Sequence, residues 1–155
     1  MAFFGLPPQY SGEFNKGTDL VSLRITRDDT GAAVALGGRR ENFKVTEKKT
    51  VEMNDGIDNG GRVDHIVIPG GWHGVVAINR FNGDFDGFTK LLDAQYYAGR
   101  GQIYCTVVAT INNGFDGTTS TDTYTKCVFT QPDSGDYART KRTMVSVEFD
   151  AQERL

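Results

Sequence analysis

The sequence is short of several things, and each shortage narrows what the chain does. Of its 155 residues only two are histidine and two are cysteine. No His-Glu-x-x-His or Cys-x-x-Cys spacing is present, so the usual frameworks of a zinc centre are missing. No serine stands in a Gly-x-Ser-x-Gly pattern. The two histidines, His65 and His73, fall near strand ends, where a lone imidazole is usually structural or at the surface. Carboxylates are plentiful but concentrate in loops, where solvated acids are the norm. The expectation is a protein that is no enzyme and needs no cofactor or metal.

Positive charge is not in excess either. Seventeen Lys and Arg stand against twenty Asp and Glu, for a net charge of −3. A surface built to grip nucleic acid needs a basic face to neutralise phosphates. A protein that lets nucleic acid slide past without sticking remains compatible. No apolar run approaches the ~20 residues that span a bilayer, so membrane insertion is not expected. Met1 to Pro8 lacks the basic start and long apolar core of a signal peptide. Folding in the cytoplasm is expected, with both cysteines as thiols by default. With four prolines against nineteen glycines, the chain has the punctuation of many turns between strands.

What is present is mostly β-structure, organised around Asp84–Ile111. Phe88, Leu91, Leu92 and Tyr96 fall at i, i+3, i+4 and i+8, one face of a 3.6-residue period, and predict a helix over about 87–98. Asp86 is placed to accept its first free N–H groups, and Gly99 to end it in the left-handed conformation. After Gly101 the period becomes two. Ile103, Cys105, Val107, Ala109 and Ile111 point one way, with Tyr104, Thr106, Val108 and Thr110 opposite.

Further strands are predicted along the chain. Val21, Leu23 and Ile25 alternate with polar residues; Asp28-Asp29-Thr30-Gly31 reads as a turn, and Ala32–Leu36 as the returning hairpin partner. From Phe43 to Met53 the chain is rich in β-formers, a long strand or ribbon, or a strand with a bend. Val63–Ile68 and Val75–Phe81 read as two strands separated by Pro69-Gly70-Gly71-Trp72-His73-Gly74, with Trp72 an anchor at the core edge or at a subunit contact. Residues 123–130 and 143–149 supply the last two strands. If 103–111 and 123–130 form a hairpin, Cys105 falls opposite Cys127 as a buried thiol pair, with a disulfide requiring favourable cross-strand geometry. Asn54–Gly61 is acidic and glycine-rich, but an EF-hand loop closes with Glu at its twelfth position; counted from Asp55, that position is Ile66. Residues 1–18 form an arm carrying Phe3, Phe4, Tyr10 and Phe14, either a frayed end or a segment ordered against a neighbouring subunit. The fold class expected is mainly β, one domain over residues 1–155, an antiparallel barrel or sandwich with one flanking helix.

The run Pro69-Gly70-Gly71-Trp72-His73-Gly74, a strand ending in Arg80, an acidic turn and the helix of Phe88, Leu91, Leu92, Tyr96 and Tyr97 resemble tail tube proteins of bacteriophages. So do the strand Tyr124–Phe129, the loop around Ser134-Gly135-Asp136 and the closing strand Val145-Ser146-Val147-Glu148-Phe149. The resemblance covers roughly Val63 to Ala151. It implies a barrel or sandwich shared with type VI secretion tubes, and hexameric rings stacked into a hollow virion tube through which double-stranded DNA leaves without specific binding. Partners would be further copies of the chain and the sheath, tape measure and baseplate proteins of a tail assembled in the host cytoplasm.

On that reading Phe88, Leu91, Leu92 and Tyr96 seal the helix against the barrel. Phe3, Phe4, Tyr10, Phe14, Lys48, Lys49, Trp72, Tyr97 and Arg100 are candidates for subunit and ring contacts, and Glu148 and Asp150 for the lumen. Two alternatives stay open: an initiator or terminator ring of the same fold, and a small-ligand carrier built on a closed barrel.

Overall fold

The computed structural model describes residues 19–54, 60–113 and 117–155. The elements in chain order are β1 (Leu20–Arg27), β2 (Gly38–Asn54), β3 (Asp64–Arg80), α1 (Asp84–Tyr97), β4 (Cys105–Asn112), β5 (Thr119–Asp133), β6 (Met144–Ala151) and β7 (Glu153–Arg154). All strand pairings are antiparallel, in the order β1-β4-β5-β6-β3-β2, with β7 added on β5. Among the described residues the mainly-β expectation with one flanking helix holds, although the path is open, with β1 and β2 at its ends.

The long strand β5 belongs to two sheets. Its first part pairs with β4 up to Cys127, and Val128–Asp133 pairs with β6. The change falls at a register shift opposite Cys105–Val107, where Lys126 takes φ of 50°. A bulge of this kind bends a strand and raises its twist, which is how one strand passes round a corner. The two sheets then share one core. Leu23, Ile25, Val107 and Ala109 come from one side, Val76, Ile78, Val145, Val147 and Phe149 from the other, all buried.

Local chemistry explains where expectation and structure part. In β1 a register shift between Leu20 and Ser22 takes Val21 out of the buried alternation, so Leu23 and Ile25 are buried in the core and Leu20, not Val21, packs against it. Gly31 closes the predicted turn by donating to the Arg27 carbonyl. Ala32–Leu36, however, forms no returning strand. It makes one bridge, Thr26 to Ala33, and leans Val34 and Leu36 on the core before β2 begins the other sheet.

The largest correction concerns β3. The expected strands 63–68 and 75–81 are one strand of 17 residues. Gly70 and Gly71 are absorbed as a bulge between the pairs Lys49–Pro69 and Glu47–Trp72. Gly71 sits at φ of 92°, and a Cβ there would lie 2.6 Å from the Ala151 carbonyl oxygen; one on Gly70 would lie 2.7 Å from that of Lys48. These glycines permit close backbone approach, not chain reversal.

The helix starts earlier than predicted, at Asp84, and that rotates its buried stripe. Phe85 and Phe88 are buried and Leu92 partly so, whereas Leu91 is 37% and Tyr96 71% exposed. The sealing face is therefore Phe85, Phe88 and Leu92, and Leu91 and Tyr96 do not belong to it. Phe129 of β5 receives Phe85 and Phe88 edge-on at 5.9 and 6.3 Å between ring centroids. Full burial of each ring contributes about 1.5–3 kcal/mol. The helix start also differs. The N-cap is Gly83, which has no side chain to cap with, and Asn82 Oδ1, not Asp86, accepts the N–H of Asp84 at 3.0 Å. Asp86 instead accepts from Gln131 at 2.8 Å and Arg80 at 3.1 Å, tying α1 to β5 and β3. Gln131, with Arg80, holds its carboxyl below the usual range. Gly99 ends the helix at φ of 74°, as expected.

Candidate assembly surfaces

Three features mark the surface. The first is a ribbon. Beyond Glu47 in β2 and before Gly71 in β3 the two strands pair, among the described residues, only with each other, because β6 follows β3 no further than Trp72–Ala151. From the register, Val51, Met53 and Val67 share one face of the ribbon with Lys49, His65 and Pro69; Ile66 and Ile68 share the other with Thr50 and Glu52. These apolar side chains are 40–72% exposed. An apolar surface on both faces of an isolated two-stranded ribbon is unstable in water unless something covers it. The sequence predicts strands at both arms of the ribbon, Phe43–Met53 and Val63–Ile68; what it misses is that the second runs on through the glycine pair, which reads as a turn.

The second feature is open sheet edges. Among the described residues β1 and β2 stand at the ends of the path, β1 with the single bridge Thr26–Ala33 on its outer side, and Val128–Asp133 of β5 pairs with β6 alone. Open edges are templates for another strand.

The third is the outer face of the sheet β5-β6-β3-β2, opposite the core. The pairings Lys44–Val75, Thr46–His73, Glu148–Val75 and Asp150–His73 place these residues on that face. The predicted lumen candidates Glu148 and Asp150 are both there, and neither stands alone. Lys48 Nζ donates to Asp150 Oδ1 at 2.7 Å. His73 Nδ1 lies 2.9 Å from the same oxygen, and its Nε2 lies 3.4 Å from Glu148 Oε1. The hydrogen bond from Lys48, with help from His73, holds the Asp150 carboxyl below its ordinary range.

The remaining predicted residues fall in different places. Phe3, Phe4, Tyr10 and Phe14 lie outside the described residues. Lys49 pairs with Glu47 at 2.5 Å. Trp72 sits at the core edge, its ring 6.1 Å from Tyr124 and covered by the Arg154 guanidinium at 3.9 Å. Tyr97 is 85% exposed and packs edge-on against Tyr96. Arg100 is exposed just past the helix. Cys105 and Cys127 are direct cross-strand partners, wholly buried and unbonded, and burial pushes their thiols up to about 11 and about 12. Among the described residues no group of His, Cys, Asp and Glu side chains is placed to hold a metal ion, and no helix is long and apolar enough to cross a membrane.

No family model matches the sequence, and no curated protein matches it. Solved structures do. A chain of the anti-feeding prophage (AFP) baseplate, 6-fold symmetrised, is similar with a TM-score of 0.53 at 12% identity, over 86% of this chain and 89% of that one. A chain of the PVC sheath/tube terminator, from an extracellular contractile injection system in the extended state, gives 0.59 at 7% identity over 87% and 92%. A chain of the PVC sheath-tube complex in the extended state gives 0.58 at 10% identity over 96% and 95%. At these identities the shared property is the fold.

Proposed function

We propose that the chain is a structural subunit of a phage tail or phage-tail-like particle, and specifically the subunit of its tail tube. The observation that carries the reading is the β2–β3 ribbon, apolar on both faces and, among the described residues, paired with no third strand. The fold, similar to chains of a sheath-tube complex and a baseplate, supports reading that ribbon as an assembly contact.

In the proposed assembly the edge of β2 in one copy meets Val128–Asp133 of the next. The contact joins two different edges, so it is heterologous and closes into a ring when the rotation allows. Six copies make a ring, and ribbons reach between rings to stack them into a tube. The core side of β5-β6-β3-β2 carries the second sheet and α1. In a narrow ring that bulk lies outside, and the opposite face lines the channel. Tyr97 and Arg100 then stand on the exterior, available to a sheath or a neighbouring copy. On the channel face Lys44 and Lys48 offset Glu148 and Asp150, so the lining is polar and near charge balance instead of simply acidic. Double-stranded DNA would find no basic surface to adhere to, and ejection through such a conduit needs no catalytic residue. Assembly takes place in the host cytoplasm, with tape measure and baseplate proteins at the ends of the tube.

A ring-forming initiator or terminator of the same fold is the second reading, favoured by the similarity to a chain of a sheath/tube terminator. The small-ligand carrier has less support: Phe43, Phe85, Tyr124, Phe129 and Phe149 pack ring to ring within the core, where a carrier would keep its cavity. Negative-stain microscopy of the purified protein tests all three. Long tubes support the tube, short ring stacks the terminator, and monomers at every concentration refute both.

A further inference from the structure

The ribbon leaves the body at a definite point, and that point carries a charged group whose tie to the ribbon goes beyond its place in the channel lining. The glycine bulge at Gly70–Gly71 lies where β3 parts from β6, opposite Lys48 of β2. Beside it Lys48, His73, Glu148 and Asp150 bring three strands together on one face. We propose that this group is a proton-responsive clasp at the root of the ribbon: taking up a proton on His73 Nε2 adds a second side-chain tie from β3 to β6, to Glu148 beside the one to Asp150, and stiffens the last ladder pairs from which the ribbon projects.

The argument is one of donors and acceptors. Neutral imidazole has a single N–H. Asp150 Oδ1 is the nearer acid, 2.9 Å from Nδ1, so the N–H belongs on Nδ1. That leaves the Nε2 lone pair facing a Glu148 carboxylate oxygen at 3.4 Å, two acceptors with no proton between them. Protonation turns Nε2 into a donor and converts the mismatch into a charge-assisted hydrogen bond.

The other charged groups near His73 do not supply that proton. From β2 come Lys44 and Lys48, the second already committed to Asp150. From β6 come Glu148 and Asp150 themselves. On β5 the residues paired with Asp150 and Glu148 are uncharged, Val128 and Thr130, with Lys126 beyond them. On β7, Glu153 pairs with Thr125, and Arg154 is stacked on Trp72. The side chains of His73 and Glu148 are 31% and 30% exposed, which leaves solvent a route to the site. Because glycines at the bulge impose little stiffness of their own, the clasp is placed where a small change in fastening alters the ribbon.

The proposal bears on assembly only through the stacking role given to the ribbon above, but its test does not depend on polymer. Nitrogen-15 NMR of the full-length chain in dilute solution reads both histidines, with His65, exposed farther along the ribbon, as the internal comparison. The shifts report which ring nitrogens carry protons: neutral His73 is expected as the Nδ1–H tautomer, and on lowering the pH its Nε2 gains the proton. Over the same titration, protection of ribbon-root amides against hydrogen exchange, corrected for intrinsic rates, is expected to rise about 5- to 10-fold. His73→Gln and Glu148→Ala should each hold that protection constant with pH. A wild-type protein showing no rise, a Nε2–H tautomer of the neutral ring, or a rise that survives His73→Gln overturns the clasp. Finding only monomers by microscopy would refute the tube and leave this result standing.

Discussion

Gly74 and Phe149 offer a sharp test of how the sheet and its core are matched. The two are direct partners across β3 and β6. A Cβ built on Gly74 would lie 2.2 Å from Phe149 Cζ and 2.3 Å from Cε1, so the phenyl ring occupies the space that a side chain would need. The ring has little room to retreat. It is 1% exposed and surrounded by Phe43 at 6.4 Å, Tyr124 at 5.7 Å and Phe129 at 5.6 Å between centroids. Gly74→Ala adds only one methyl and gains strand propensity, yet it overpacks a full site and should destabilise by about 1–3 kcal/mol. Phe149→Leu, which shortens the ring side chain, should cost about 1–1.5 kcal/mol by itself. In the double variant the new methyl enters the vacated space, and the two costs should fall short of their sum by at least about 0.5 kcal/mol. Urea denaturation at a concentration where the protein is monomeric measures all four corners of the cycle. In a chain this size 1 kcal/mol also moves Tm by about 2–4 °C. A neutral Gly74→Ala, or strict additivity in the double variant, would refute the packing argument.

Three further outcomes follow from other parts of the molecule. Val51→Asp with Ile66→Asp, one on each face of the ribbon, should abolish polymer seen by microscopy while moving monomer stability by no more than about 0.5 kcal/mol, as expected of exposed sites; a fully assembled double variant would remove the ribbon from the stacking contact. Asp86→Ala, which breaks the tie among β3, α1 and β5, should cost about 1.5–3 kcal/mol by thermal or urea unfolding. The Asp86 carboxyl is held low when folded, so its contribution is present above its unfolded value of about 3.9 and is lost as pH falls through the lower folded value; Asp86→Asn should flatten that acid limb, and an unchanged limb would show that the carboxylate does not matter. Cys105 and Cys127, with thiols pushed up to about 11 and about 12 by burial, should react negligibly with a thiol reagent at about pH 8 in the native state and count as two after denaturation without reductant; a count of zero would mean a disulfide.

Much of this architecture was legible because it rests on local alternation. The thiol pair, the closing strand Val145–Phe149 and the left-handed Gly99 all follow from periods of two or from a single backbone requirement, and all are where the sequence places them. What escaped depended on distant neighbours. Tyr96 lies on an ideal helical stripe with Phe88 and Leu92, yet the stripe that is buried is set by where Phe129 of β5 stands, and Phe129 selects Phe85. Glu148 and Asp150 read as bare acids because their partners, Lys48 and His73, lie about a hundred and about seventy-five residues away in the chain.

Pro69-Gly70-Gly71 is the most instructive case, since its composition is that of a turn. Nothing local distinguishes a glycine needed to reverse the chain from one needed to let two other backbones come close. The carbonyls of Lys48 and Ala151 make that choice, each near enough to exclude a Cβ. The same crowding is what frees the ribbon. It allows β3 to leave β6 while staying paired with β2, so that one continuous strand serves the core with its second half and exposes Ile66, Val67 and Ile68 with its first. A side chain at Gly71 would have to displace Ala151, and with it the last pair holding β3 to β6, so the residue type that misleads a turn prediction is the one that lets core and assembly surface share a strand.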